Sequence, residues 1–221
     1  MPPGTWSGEQ PFAFFVASGQ TRFMSALRYD RLLCIDLELT CWVDEPPIGM
    51  RREIIEIGIV EADPRSLEIL REDRYLVRPR SEVSAYCTAL TGLTDSELRR
   101  SGRPLVEVLR TLVSAYGTQR KATLAWGSDW SAIERDCTAA GIPNPFPGPA
   151  AINLGQVYML MTGATQRPSV ARALEVLGLE FDGRPHGALV DARNTIAIYR
   201  EMALRMRMPQ PAPANAFSPA P

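Results

Sequence analysis

The sequence predicts an α/β protein: a mixed five-stranded sheet flanked by helices. Two observations along its 221 residues carry this prediction. Three strand-like apolar stretches come first, joined by short turns, as in an antiparallel meander. Helix signals then alternate with two more strand-like stretches. The resulting order, βββ-α-β-α-β-α-α, suits a sheet with helices packed on it.

The first strand is read over Leu32–Trp42. Leu33, Ile35, Leu37 and Leu39 alternate to one face, so Asp36 and Glu38 project from the other, beside Cys34 and Thr40. Carboxylates are rarely buried unless paired or bound to a cation, and like charges side by side on a strand are destabilising. No Lys or Arg lies between Leu32 and Val43, so a distant side chain or a metal must supply the positive charge.

Pro46-Pro47-Ile48-Gly49 marks a turn. Glu53–Val60 is the second strand, ended by Ala62-Asp63-Pro64, and Leu67–Val77 is a third, bent strand stopped by Pro79. Thr94 and Glu97 form a capping box that opens a helix. A second helix follows Pro104, with Leu105, Val108, Leu109 and Leu112 at helical spacing. Ala122–Trp126 is the fourth strand. Ser131 and Glu134 read as another capping box, for a helix running to Ala140 and stopping at Gly141. Pro143, Pro145, Pro147 and Pro149 exclude a helix, and Ala151–Leu154 is a short fifth strand followed by a helix through Met161. Ser169–Leu177 is a helix closed by Gly178. An amphipathic pattern from Leu189 to Met206 is the last helix.

The apolar fraction of 45% and charged fraction of 22% are those of an ordinary globular protein. A net charge of −1 gives no global basic field, so a polyanion would have to be met by local cations or by metals held on acids. The four cysteines form no Cys-x-x-Cys pair and there is one histidine, so zinc is not expected. No apolar run approaches the roughly 20 residues of a membrane helix, and Pro11–Ala17 lacks the features of a signal peptide. A cytoplasmic protein with reduced thiols is expected. Residues 1–27 read as a flexible N-terminal arm, with Met24 a tidier start. Residues 28–206 read as the folded domain, and 207–221, rich in Pro and Ala, as a disordered tail.

Polar groups at the edges of apolar elements recur later in the chain. Asp129 follows the fourth strand, in a loop before a helix. His186 lies in the Gly/Pro-containing loop Asp182–Gly187, and Asp191 lies in the first turns of the last helix. Five residues apart, His186 and Asp191 converge only if His186 remains in the loop. The pattern Asp36-x-Glu38-x-Thr40, then Asp129, then His186-x4-Asp191 resembles the DEDDh 3′-to-5′ exonucleases, the ribonuclease T and proofreading-exonuclease superfamily with its ribonuclease H-like fold. The likeness covers residues 28–206. It extends through Glu53–Gly58, Cys87–Thr94, Ile152–Leu154 and Leu174–Phe181, and is strongest to the Eri-type and histone-mRNA exoribonuclease branch. One departure is that Trp126–Trp130 has one residue fewer before the acid than many relatives have.

The resemblance implies a two-metal exonuclease that hydrolyses single-stranded nucleic acid, RNA favoured, from its 3′ end to 5′-mononucleotides. Asp36, Glu38, Asp129 and Asp191 would hold two Mg²⁺ or Mn²⁺ ions, with Asp36 bridging them. His186, with an ordinary pKa of roughly 6.5, would be the general base. Leu37, Leu39, Thr40, Thr91 and Leu93 would bind the terminal nucleotide. Trp42 and Trp130 could stack on bases, although core packing is the simpler reading of both. Taken singly, each acid has an ordinary explanation as a solvated edge or a helix N-terminal residue; the set in order does not. The alternatives are a DNA-directed repair or proofreading exonuclease, a non-catalytic nucleic-acid-binding module, and an adaptor using its Pro-rich tail. The chemical partners expected are 3′ ends of single-stranded RNA or DNA, with no membrane.

Overall fold

The computed structural model describes residues 28–146 and 151–205. The expected N-terminal arm, the Pro/Ala-rich tail, Met206, Pro147 and Pro149 lie outside the described residues. The sheet has the five strands expected: β1 (Arg28–Leu39), β2 (Ile54–Ala62), β3 (Ile69–Leu76), β4 (Lys121–Ala125) and β5 (Ala151–Asn153), in the spatial order β3-β2-β1-β4-β5. The first three strands form the antiparallel meander, while β4 and β5 run parallel to β1. The helices are α1 (Ala85–Thr91), α2 (Asp95–Ser101), α3 (Leu105–Tyr116), α4 (Asp129–Ala140), α5 (Leu154–Thr162), α6 (Val170–Leu177) and α7 (Ala188–Arg205).

Several boundaries move for identifiable reasons. β1 stops at Leu39 rather than Trp42, because its register with β2 breaks after Glu38 and Thr40 turns to bond Glu53 through its N–H. β3 starts at Ile69, since Leu67 takes a left-handed conformation (φ 59) in a turn held by the Asp63 carboxylate, which accepts from Arg65 and Ser66. Helix α1 is absent from the sequence reading; it is a short element capped by Ser84, whose hydroxyl accepts from the Cys87 N–H. The Thr94 cap of α2 is present. The expected Ser131 capping box is not. Helix α4 begins two residues earlier, at Asp129, and the Ser131 N–H already donates to the Ser128 carbonyl inside the first turn.

Both faces of the sheet are covered. On one side Leu33, Ile35 and Leu37 pack with Val108, Leu109 and Leu112 of α3 and Ile133 and Cys137 of α4. On the other, Leu32, Cys34 and Val60 pack with Leu174 and Leu177 of α6 and Ala192 and Ile196 of α7. Strand alternation therefore puts Asp36 and Glu38 on the α7 side, at the end of an apolar row begun by Leu32 and Cys34.

The approach of α7 to the sheet depends on Gly58, the cross-strand neighbour of Asp36. A Cβ at this position would lie 2.2 Å from the carbonyl carbon of Ala188 and 2.3 Å from the nitrogen of Leu189, both backbone atoms that cannot swing aside. Further along, Arg193 of α7 grips Glu72 of β3 with both guanidinium arms, Nε at 2.6 Å from Oε2. A Gly58→Ala substitution is expected to force the first turn of α7 off β2 and cost about 1–3 kcal/mol of stability, the usual range for overpacking. Urea denaturation measures this, and unchanged stability would show that α7 can slide without penalty.

Candidate active site

Three separate elements converge on the end of β1. The strand delivers Asp36 and Glu38, the first residue of α4 is Asp129, and the first turn of α7 carries Asp191. Glu38, His186 and Asp191 each offer a ligand atom, all within 4.8 Å of one another. His186 sits in the loop before α7, as its Pro and Gly neighbours suggested, and its backbone is left-handed (φ 65). That conformation is uncommon for a residue with a Cβ and marks a constrained position. The constraint is visible: the His186 N–H donates to Asp191 Oδ2 at 3.0 Å, and the Asp191 N–H donates to the Gly187 carbonyl at 2.9 Å. The histidine ring is left exposed above the acids.

Asp129 is tied to the same place by backbone donors. Its Oδ2 accepts from the Gly127 N–H at 3.3 Å, and the N–H groups of Leu37 and of Asp129 itself also reach the carboxylate. Glu38 is buried, whereas Asp36, Asp129 and Asp191 keep part of their surface open.

The acids behave as one electrostatic unit. Burial pushes the Asp36 carboxyl well above the usual range, and the charges of Asp129, Asp191, Glu38 and Glu56 push it further. Glu38 is pushed up to about 8, by burial first and then by Asp191, Glu56 and Asp129. Asp129 is raised by burial against the pull of its backbone donors and of Arg167. Asp191 is raised by burial against the His186 N–H bond and the His186 ring.

Glu56 is the member that sequence reasoning missed. It stands directly across from Glu38 in the ladder, is 2% exposed, and accepts a hydrogen bond from Arg74 Nε through Oε1. The available signal was its position inside Ile54-Ile55-Glu56-Ile57, the same anomaly of an acid in an apolar strand that singled out β1. Two arginines thus approach the cluster, Arg74 at Glu56 and Arg167 near Asp129. Among the described residues, neither Lys nor Arg makes an ion pair with Asp36, Glu38, Asp129 or Asp191. Five acids against two peripheral cations leave a charge deficit, and an all-oxygen carboxylate set is the donor chemistry of hard divalent ions. The residues fit such ions.

The expected nucleotide-pocket residues are placed less uniformly. Leu37 and Leu39 pack against the α3–α4 side. Thr40 is wholly buried, its hydroxyl accepting from the Glu53 N–H at 2.9 Å, and Leu93 is buried with Ile55, Cys87 and Leu98. Thr91, half-buried, donates to the Cys87 carbonyl and accepts from the Leu93 N–H. Trp130 packs on Phe146, ring centroids 5.5 Å apart, on the α3–α4 side of the core.

Fold and site together define an α/β protein of ribonuclease H-like architecture with a cluster of carboxylates that could hold a cation. The description Exonuclease (RNase_T) matches residues 33–199, and the chain belongs to this family. It is 30% identical over 183 residues to the 3′-5′ exoribonuclease 1 of Rattus norvegicus, covering 77% of this chain and 52% of that protein. It is 32% identical over 212 residues to the ERI1 exoribonuclease 2 of Danio rerio, covering 84% and 37% respectively. The chain therefore spans about half or less of the length of these relatives. Among solved structures, the nuclease domain of 3′hExo, a DEDDh family member bound to rAMP, superimposes with a TM-score of 0.70 at 27% identity, covering 82% of this chain and 95% of that one. A 3′-exonuclease structure described as showing 3′-end-specific recognition of the histone mRNA stem-loop gives 0.71 at 27% identity, with 85% and 67% covered. The family uses divalent metal ions.

The raised acids have a consequence for stability. Each holds its proton more tightly in the folded chain than in the unfolded one, where carboxylates titrate at about 4. The folded state therefore carries extra protons between that value and, for Glu38, about 8, and stability falls as pH rises through this window. Glu72 and Asp95 shift downward and titrate below it. In EDTA, the melting temperature is expected to drop from about pH 5 to about pH 9, and added Mg²⁺ or Mn²⁺ should reverse the drop. Asp36→Asn should flatten the profile in EDTA. Thermal denaturation across pH checks this, and a melting temperature that rises with pH in EDTA would contradict it.

Proposed function

We propose that this chain is a two-metal 3′-to-5′ exonuclease that acts on single-stranded RNA and releases 5′-mononucleotides, with residues 28–206 as the catalytic unit. The observation that carries the reading is the convergence of Asp36, Glu38, Asp129 and Asp191 with His186, from three elements and one loop, on a site short of positive charge. The names of its relatives, exoribonucleases, favour RNA over DNA. The rAMP bound to one structural neighbour points the same way.

Asp36, Glu38, Asp129 and Asp191 would hold Mg²⁺ or Mn²⁺. Bound there, the ions would polarise the scissile phosphate and lower the pKa of the attacking water. His186 takes that water's proton: its ring is exposed and its backbone N–H is fixed to Asp191. Asp129, whose carboxylate accepts from the Gly127 N–H, stands at the start of α4 beside the end of β1. For the terminal nucleotide, Leu39 and Thr91 retain surface to offer, and Thr40 and Leu93 support them from beneath.

The test is a 5′-labelled single-stranded RNA, with the matching DNA, incubated with Mg²⁺ or Mn²⁺. Stepwise shortening from the 3′ end is expected, faster on RNA, and abolished by EDTA or by Asp36→Ala. Faster shortening of DNA would move the assignment to a DNA-directed exonuclease. Binding without cleavage of either strand would make the chain a binding module. Replacing His186 by Ala is expected to lower kcat by about 10²–10⁴ with little change in KM, the usual weight of a general base. An unaltered kcat would remove His186 from the mechanism.

A further inference from the structure

Glu56 is unexplained by the four-acid site. It is buried inside the sheet, and its Oε2 has no hydrogen-bond partner among the described residues, while Oε1 accepts from Arg74. A buried carboxylate oxygen without a donor is costly, and in a native fold it calls for a specific occupant or role. Its setting sharpens the problem. Glu56 and Glu38 are opposite one another in an antiparallel ladder, where facing side chains are neighbours and like charges repel. If the only role of Glu56 were to clamp Arg74 and so join β2 to β3, a polar neutral side chain would serve. It would also remove the repulsion with Glu38.

Resting on the divalent-ion reading of the same site, we propose that Glu56 is its fifth carboxylate, whose buried free oxygen is an acceptor for the hydration shell of an ion held by Glu38 and Asp191. Arg74, about half-exposed at the sheet edge, balances half of that carboxylate and leaves the other half for the ion. Residues outside the direct ligand set commonly alter metal affinity by roughly 10–100-fold, through hydrogen bonds to ligands and to bound water. Glu56 thereby acts as a positioning residue for the metal rather than as a group that touches the substrate. Arg74 adjusts its strength.

The experiment is Mn²⁺ titration by calorimetry on the full chain without nucleic acid, alongside melting temperatures in EDTA. Wild type binds Mn²⁺ and Asp36→Asn loses most of the binding. Glu56→Gln, which keeps an acceptor for Arg74, weakens Mn²⁺ binding by roughly 10–100-fold while its melting temperature in EDTA is unchanged or higher. Arg74→Gln, which frees the Glu56 charge, binds Mn²⁺ several-fold more tightly although its melting temperature falls. If both variants bind Mn²⁺ as wild type does and both melt lower, Glu56 is only a strand clamp and the proposal is overturned. If Glu56→Gln does not fold, the Arg74→Gln affinity decides alone, since a clamp predicts no change in it. A wild-type chain that binds no Mn²⁺ overturns the divalent-ion reading along with this one.

Discussion

Repulsion among carboxylates at the end of β1 is the constraint to which this fold answers. Burial raises the proton affinity of Asp36, and Asp129, Asp191, Glu38 and Glu56 each raise it further; Glu38 is raised by burial and then by Asp191, Glu56 and Asp129. No chain would assemble these groups for stability. The opposing force is spread over the two apolar layers that clasp the sheet, one built on α3 and α4 and the other on α6 and α7. Each layer delivers an acid by the first turn of a helix: Asp129 opens α4 and Asp191 lies in the first turn of α7. Placement at a helix N-terminus partly offsets the crowding, since the backbone N–H groups there favour negative charge.

How much of this was readable in the sequence varies with the physics of each element. The strands with long apolar runs, the antiparallel meander and the amphipathic last helix were legible, because periodicity is local. The acids at 36, 38, 129 and 191 and the loop histidine were legible as a family pattern, and the structure brings Glu38, His186 and Asp191 within 4.8 Å of one another. Helix α1 was not readable, because its seven residues carry one buried side chain, Cys87, too few for a periodic signal. The Ser131 box misled for a different reason. Ser and Glu at that spacing occur inside helices as well as at their starts, and here the end of β4 leads into the helix at once. Glu56 was seen only as part of a strand, because pairing with Glu38 is a long-range fact that no single segment carries.

Open and closed surfaces divide the site by function. Asp36, Asp129 and Asp191 keep partial access while Glu38 and Glu56 lie beneath, so a cation can enter from the side on which the His186 ring stands. The loop that carries His186 is fastened at both ends. Asp191 accepts its backbone N–H, and Arg184 reaches across to donate to the Ala89 carbonyl of α1 at 3.2 Å, closing against Gly92. A left-handed residue held this way cannot easily relax, so the backbone at His186 is constrained. The corner between α1 and α2 and the histidine loop are therefore one surface, although they are far apart in the chain.

The segment before Asp129 is closely packed around Arg167. A Cβ on Gly127 would lie 1.8 Å from the Arg167 guanidinium, and one on Gly155 would lie 2.5 Å from its Cδ. These two glycines make the channel through which Arg167 reaches the Trp126 carbonyl, at 3.1 Å, and comes near enough to Asp129 to oppose part of the rise that burial gives its proton affinity. With Trp126 fixed in turn by its indole N–H on the Pro168 carbonyl, at 2.8 Å, the end of β4 is locked to the segment before α6. Asp129 reaches the acids because the helix starts on it. The start of α4, an arginine and two glycines fit together around the end of β4, and that packing fixes where Asp129 stands.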